Sequence, residues 1–301
     1  MRKPAPAVVQ CAGFVAAALA LTACDISIGA SEYSVREEKR FTVSGAARLA
    51  LSTFDGSIEV RGWDRNEVVV EVEKVGPDQA TVDRIQVRAA QDGSGITIDV
   101  QKPSPLETSG IRRSPSANLV VSVPLKTAVM ARSGDGSISI RRVTGKLDLD
   151  TDDGSIRVEE VAGALVARTG DGDVIGQKMD GQAEIHTGDG VVGLDGVLTG
   201  LKVETRDGAV EVTARPGSRT DTEWDVTTGD GDVRIEVPEG FGAEVDARTG
   251  DGRVRVDTIT DAPDGKRDER EDRESVIGRL GGGGKPLRIR TSSGSITVKR
   301  W

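Results

Sequence analysis

The sequence predicts an all-β fold, a β-solenoid of stacked two-strand rungs with a repeat of about 18 residues and an N-terminal β cap, on three observations. A hydroxyl residue followed three positions later by glycine recurs nine times, and from Ser133 to Thr205 the copies are 18 residues apart. Apolar residues alternate on both sides of each copy, the period of a strand with one face turned inward. The 301 residues include 38 Gly but only 3% aromatic side chains, so the core is built from small and β-branched groups around many turns. Length alone would suggest two globular domains, and the repeat overrides that reading.

In chain order, residues 1–23 read as a secretory signal. Arg2 and Lys3 form a basic start, an apolar stretch runs from about Pro6 to Leu21, and no acidic residue precedes Asp25. The stretch ends Leu21-Thr22-Ala23-Cys24, which resembles the bacterial lipobox. That resemblance implies cleavage before Cys24 and a diacylglycerol thioether on its sulfur, so Cys24 is the expected lipidation site. Cys11 would leave with the signal and Cys24 would stand alone, with no internal disulfide despite an oxidising destination. Acyl chains give a lone exported cysteine a purpose, whereas an ordinary signal with an incidental Cys does not. The expected location is the cell membrane, lipid-anchored and facing away from the cytoplasm. Residues 24–44 then read as anchor and short linker.

Residues 45–130 contain the first anchor, Thr53 with Gly56, and then alternating runs such as Ile96-Ile98-Val100 and Leu119-Val121-Val123. They read as degenerate rungs or an antiparallel cap, with Asp92-Gly93 resembling a rung turn out of register. A cap is required because an open terminal rung exposes a sheet edge that templates association. Residues 131–259 carry the regular repeats, anchored at Ser133, Thr151, Thr169, Thr187, Thr205, Thr228 and Thr249. Positions −4 and −2 are apolar (Leu147/Leu149, Leu165/Ala167, Leu201/Val203), as are +5 and +7 (Ile156/Val158, Val210/Val212, Val233/Ile235). Between the two strands, glycine allows a positive φ and Asp can hydrogen-bond the turn backbone. Neighbouring rungs about 4.8 Å apart would pair their amides and align like columns. Residues 260–285 read as a charged, Gly-rich, solvated insertion, and residues 286–301 as the terminal rung anchored at Thr291.

The recurring T-x-D-G-S-I-x-V element and the closing Thr291-Ser-Ser-Gly-Ser-Ile-Thr-Val298 resemble the bacterial putative-adhesin β-strand-repeat family, over roughly residues 45–301. Many members of that family are known only as a domain of unknown function. The resemblance implies the fold and surface attachment, with no defined ligand or functional residues to carry over.

The row Asp135, Asp153, Asp171, Asp189 and Asp207 is the foremost candidate site, since carboxylates about 5 Å apart repel unless solvated, hydrogen-bonded or bridged by cations. Thr169-Gly-Asp-Gly-Asp-Val174 shares features with calcium-binding nonapeptide repeats, which makes these five the calcium candidates. That motif recurs every nine residues with its Asp one position later, so turn-forming Asp is the preferred reading and no metal is assigned. His186 lies in an outward, variable column and reads as solvated. Trp224 falls in an inward column, whereas Trp63 and Trp301 lie near the ends as covers for exposed rungs or, alternatively, carbohydrate platforms.

Other functions are disfavoured. A net charge of −9 argues against nucleic acid as a partner, and a single His with two Cys excludes most zinc, haem and iron–sulfur sets. Acids present in every rung are what a lattice needs, not a unique acid–base pair, and no G-x-S-x-G occurs. Gly281 to Gly284 with Lys285 and Pro286 lacks the spacing and hydroxyl of a phosphate loop. The expectation is a non-enzymatic, adhesin-like envelope lipoprotein without cofactor, binding cell-wall polysaccharide or an envelope protein. The alternatives are a scaffold docking a membrane partner and a carbohydrate-active β-helix enzyme.

Overall fold

The computed structural model describes residues 25–29, 32–102, 114–257, 259–260 and 274–301. The predicted signal, Cys24 and half of the predicted charged insertion lie outside them.

Strands begin with β1 (Asp25–Gly29), β2 (Glu32–Thr42), β3 (Ala47–Ser52), β4 (Ile58–Trp63) and β5 (Glu67–Gly76). A short helix α1 (Gln79–Asp83), which the sequence reading did not anticipate, starts where Asp78 caps the Thr81 amide at 2.8 Å. After it come β6 (Gln86–Asp92), β7 (Gly95–Gln101), β8 (Ser116–Pro124), β9 (Thr127–Ser133) and β10 (Ile138–Arg141). The regular region comprises β11 (Leu147–Thr151), β12 (Ile156–Glu159), β13 (Ala162–Thr169), β14 (Val174–Thr187), β15 (Val192–Thr205) and β16 (Val210–Ala214). The chain continues through β17 (Trp224–Asp230), β18 (Val233–Val237), β19 (Ala243–Asp251), β20 (Val254–Val256) and β21 (Ile259–Thr260). It finishes with β22 (Ser275–Leu280), β23 (Pro286–Ser293) and β24 (Ile296–Arg300).

The described strands all join one sheet, so the all-β class holds. Two parallel ladders run through it. One stacks β7, β3, β9, β11, β13, the C-terminal halves of β14 and β15, β17, β23 and β19. The other stacks β8, β4, β10, β12, the N-terminal parts of β14 and β15, β16, β18, β24 and β20. Like side chains align from unit to unit, Ile138 beside Ile156 and Thr151 beside Thr169.

The core follows from this register. Ile138, Ile156, Val174, Val192 and Val210 form one fully buried column, and Leu147, Leu165, Ala183 and Leu201 face them from the other ladder. Each large aliphatic side chain removed from water contributes roughly 1.5–3 kcal/mol, and only stacking provides the apolar cover above and below it. Trp224, opposite Leu201 and Leu287, is fully buried as its column predicts and meets Phe241 edge to face at 5.0 Å.

Several boundaries differ from those read in the sequence. The supposed linker at 24–44 is largely strand, because β2 pairs antiparallel with both β1 and β5. Asp92-Gly93 is the turn of an antiparallel β6–β7 hairpin, with Gly93 at φ 57°, and is no rung turn. The predicted insertion contains β22, antiparallel to β19, so Ser275–Leu280 is no solvated loop. Residues 286–300 are not terminal in space: β23 and β24 lie between the β17/β18 and β19/β20 units. The other end mirrors this, with β3/β4 inserted between β7/β8 and β9/β10.

Candidate functional site

The repeated turn is built by its hydroxyl. Thr169 Oγ1 accepts from the amide of Gly172 at 3.2 Å, closing its own turn, and donates to the carbonyl of Gly154 in the neighbouring unit at 2.9 Å. Thr151 makes the same pair of contacts at 3.3 and 2.9 Å, and Ser133 at 3.2 and 2.8 Å. The chain of hydroxyls follows spatial order even where sequence order departs from it: Thr291 donates to Gly231 and Thr249 to Gly294. From Ser133 to Thr205 each hydroxyl satisfies two backbone groups at a buried corner where either, left alone, would cost about 1–3 kcal/mol.

Glycine at +3 adopts the positive φ its sequence context suggested at Gly56 (141°), Gly252 (154°) and Gly294 (139°). Gly136, Gly154, Gly172, Gly190 and Gly208 do not, and are glycine for another reason. A Cβ on Gly172 would instead stand 2.2 Å from the carbonyl oxygen of Gly154, and one on Gly136 would stand 1.8 Å from that of Gly56. Close stacking of backbone on backbone demands glycine here. Positive φ is required at the second corner, at Gly163 (126°) and Gly181 (140°).

The Asp row is exposed along its length, and Asp135, Asp153 and Asp171 have no hydrogen-bond or ion-pair partner among the described residues. The expectation that these carboxylates hold the turn is therefore corrected: the hydroxyl does so, and Asp projects into water. Asp189 is paired with Arg206 at 2.8 Å, and Asp207 lies 3.9 Å from the same guanidinium. Among the described residues no three His, Cys, Asp or Glu side chains converge as a metal set.

Outward columns of the first ladder carry opposite charges in register. Arg168 reaches Asp148 at 3.1 Å, and His186 lies between Glu184 at 3.1 Å and Glu204 at 3.0 Å, so it is partnered and not simply solvated. The His186 hydrogen bond, supported by Lys202, holds Glu184 below the usual carboxylate range, and Lys202 does the same for Glu204. At the terminal unit Asp246 is also held low: burial opposes its charge, but hydrogen bonds from Arg290 at 3.0 Å and Arg248 at 2.7 Å outweigh it.

The second ladder bears an open groove of about 640 Å³ lined by Gln177, Lys178, Met179, Asp180, Asp195, Gly196, Val197 and Arg215. Arg215 pairs with Asp195 and also lies 5.6 Å from the ring centroid of Trp301, which is 48% exposed. Trp63 differs: its indole N–H donates to the carbonyl of Glu67 at 2.8 Å and Arg65 covers its ring at 4.8 Å. Sequence reading selected Trp301 but missed Lys178 and Arg215. The available signal was the column nine residues after each anchor, where Arg142, Glu160 and Lys178 give way to Gly196.

No curated protein matches the chain. Among solved structures it is similar to a putative adhesin from Bacteroides fragilis at 14% identity and TM-score 0.42, covering 88% of this chain and 97% of that one. A putative adhesin from Parabacteroides merdae gives 11% and 0.45, and a putative lipid binding protein from Parabacteroides distasonis 12% and 0.44, each over 88% of this chain and 96% of the other. Residues 46–299, nearly the whole described sheet, match one family throughout, and the chain belongs to that family, Toastrack DUF4097.

Proposed function

We propose that the chain is a lipid-anchored, extracytoplasmic attachment protein of the cell envelope, non-enzymatic, whose two ladders form the faces of a β-solenoid capped at its N-terminal end by β6, β5, β2 and β1. The observation that carries this reading is the recurrence of outward polar pairs on the first ladder, Asp148 with Arg168, His186 with Glu204 and Asp246 with Arg290, interrupted where Val166 and Thr227 stand in the same columns. Exposed ion pairs of this kind add about 0–1 kcal/mol each to stability. Their recurrence on one exposed face suits recognition instead, because polar groups held at the spacing of stacked strands match a large partner of repeating structure. Anchoring rests on Leu21-Thr22-Ala23-Cys24. Since β1 starts at Asp25 and pairs with Arg36 of β2, a lipid on Cys24 would hold this end of the sheet against the membrane with no slack.

Two measurements test the proposal. Residues 25–301 should co-sediment saturably with isolated cell walls, and failure to bind across a salt series, with calcium or with chelator, would remove the attachment role in favour of a scaffold for a membrane partner. Loss of binding with chelator alone would return the Asp135 to Asp207 row to consideration as a calcium site. Cys24→Ala should move the full chain from the membrane to the soluble fraction, and its persistence in membranes would sink the lipid anchor.

A further inference from the structure

The groove on the second ladder coincides with the place where the corner of the stack changes its geometry. In three successive units the corner residue is left-handed without being glycine: Arg142 at φ 56°, Glu160 at 55° and Lys178 at 51°. That conformation turns the next residue, Val143, Val161 or Met179, into the core. In the following unit Met179 is opposite Gly196, so Lys178 is an extra residue bulged out of the ladder. One unit further on, β16 ends with Ala214 pointing inward, and Arg215, just past it, is exposed. The bulge on one side and the end of β16 on the other leave the depression between them. Gly196 between them has no room for a side chain, since a Cβ there would meet the Met179 carbonyl oxygen at 2.2 Å. Non-glycine residues in this left-handed region are strained, and such strain clusters at sites that use it.

We infer that this groove is a saccharide-binding site that takes a short segment of an uncharged, extended polysaccharide, with Trp301 as its stacking platform; the inference deepens the attachment reading and rests on it. The wall is balanced in charge. Lys178 is paired with Glu160 at 2.8 Å and Arg215 with Asp195 at 3.1 Å, so the groove offers fixed donors and acceptors without the net positive field an acidic peptide would need. Gln177 and Asp180 add further polar groups, while the half-buried Val197 supplies apolar surface. Hydroxyl-rich rings with apolar faces fit that combination, and an exposed indole beside Arg215 supplies the flat surface on which such a ring stacks. Of the three tryptophans, Trp224 is fully buried and Trp63 has its N–H committed to Glu67, which leaves Trp301 for this role.

The test titrates the full chain with β-1,4-linked hexamers of glucose and of N-acetylglucosamine, following tryptophan emission and, in parallel, heat of binding. One hexamer should bind saturably and change the emission of the wild type. Trp301→Ala should remove the emission change and weaken binding about tenfold or more, as loss of an aromatic anchor does. Lys178→Gly relieves the left-handed corner and should weaken binding without lowering the melting temperature, whereas Trp63→Phe should bind like the wild type. Absence of saturable binding to either hexamer, wild-type affinity in the Trp301 and Lys178 variants, or saturation by polyglutamate in place of the sugars would overturn the site. The two readings fail differently. Wall binding that survives Trp301→Ala removes the groove and leaves attachment, and hexamer binding without wall binding leaves the groove and removes attachment.

Discussion

The units from Ser133 to Thr205 and the units at the two ends share one turn chemistry but differ in how chain order maps onto space. In the middle, each copy stacks on the one 18 residues before it, β11 on β9 and β13 on β11. At both ends the penultimate copy in sequence is outermost, β7/β8 at one end and β19/β20 at the other. Because all units present the same columns, any one can stack on any other, and the turn code alone does not choose its neighbour. Loop closure adds little discrimination, since doubling a loop raises its entropic cost by only about 0.6 kcal/mol. What distinguishes the outermost units is their cover: β6 lies antiparallel on β7, and β22 lies antiparallel on β19. The ends are arranged so that a strand able to turn back and blunt the edge is placed there.

The largest expected effect breaks the middle of the stack. Gly172→Ala places a Cβ against the Gly154 carbonyl, where neither backbone can yield without separating two units. A loss of about 3 kcal/mol or more is expected in denaturant unfolding, against a change within about 0.5 kcal/mol for Gly240→Ala, whose Cβ would meet nothing within 4 Å. Equal effects at the two positions would show that glycine serves turn flexibility and not close stacking.

The next breaks an end. Val276→Pro in β22 introduces a residue that cannot donate to the ladder and should free the edge of β19, where Val276 pairs with Ala247. The expected outcome is concentration-dependent self-association in sedimentation velocity with little change at the other end of the sheet. A variant that remained monomeric at all concentrations would show that β22 is not what protects this edge.

Third, Thr169→Val preserves shape and removes the hydroxyl that serves Gly172 and Gly154. Two buried backbone groups lose a partner, and about 1–3 kcal/mol of stability should go with them. Thr169→Ser should recover most of it.

These contrasts also show how far the sequence could be read. The column at Thr169 and the apolar alternation at Leu165, Ala167, Val174 and Gly176 were visible because a strand's inward face and a stacked repeat each impose a period on residue type. The partners of Thr291 were not, since Thr249 and Thr228 offer it equivalent neighbours and only three-dimensional closure selects both. The β7/β8 unit could be read only as a degenerate rung or a cap, because Val100 stands where other units carry a hydroxyl. For the groove, the exposed Trp301 could be singled out, but the left-handed corner at Lys178 could not, since nothing in a lysine announces positive φ.

Acid should weaken the charged columns in a defined direction. Glu184, Glu204 and Asp246 are held below the ordinary carboxylate range, so the stability they contribute is fully present above a pH of about 4 and is lost as pH falls through their lowered values. Asp246→Asn should remove an acid-sensitive contribution of order 1 kcal/mol, seen as a smaller fall in melting temperature between neutral pH and pH 3 than the wild type shows. An identical fall in the two proteins would mean that the Arg290 contact does not outweigh the burial of Asp246.

The smallest effect is the most discriminating for the turn. If Asp171 held its corner, Asp171→Ala would cost as much as Thr169→Val, because the same buried backbone groups would lose a partner. The carboxylate makes no hydrogen bond or ion pair among the described residues and acts on Arg206 only through its charge, while Thr169 bridges two units. Asp171→Ala should therefore change stability by less than about 0.5 kcal/mol, and removing one charge from a row of like charges could even raise it. A row at a solvated edge that does not stabilise the turn can act only through what it presents outward. Comparing wall binding of Asp171→Ala with that of the wild type then separates the two roles: unchanged stability with weakened binding assigns the row to recognition, and a large loss of stability would restore it to the turn.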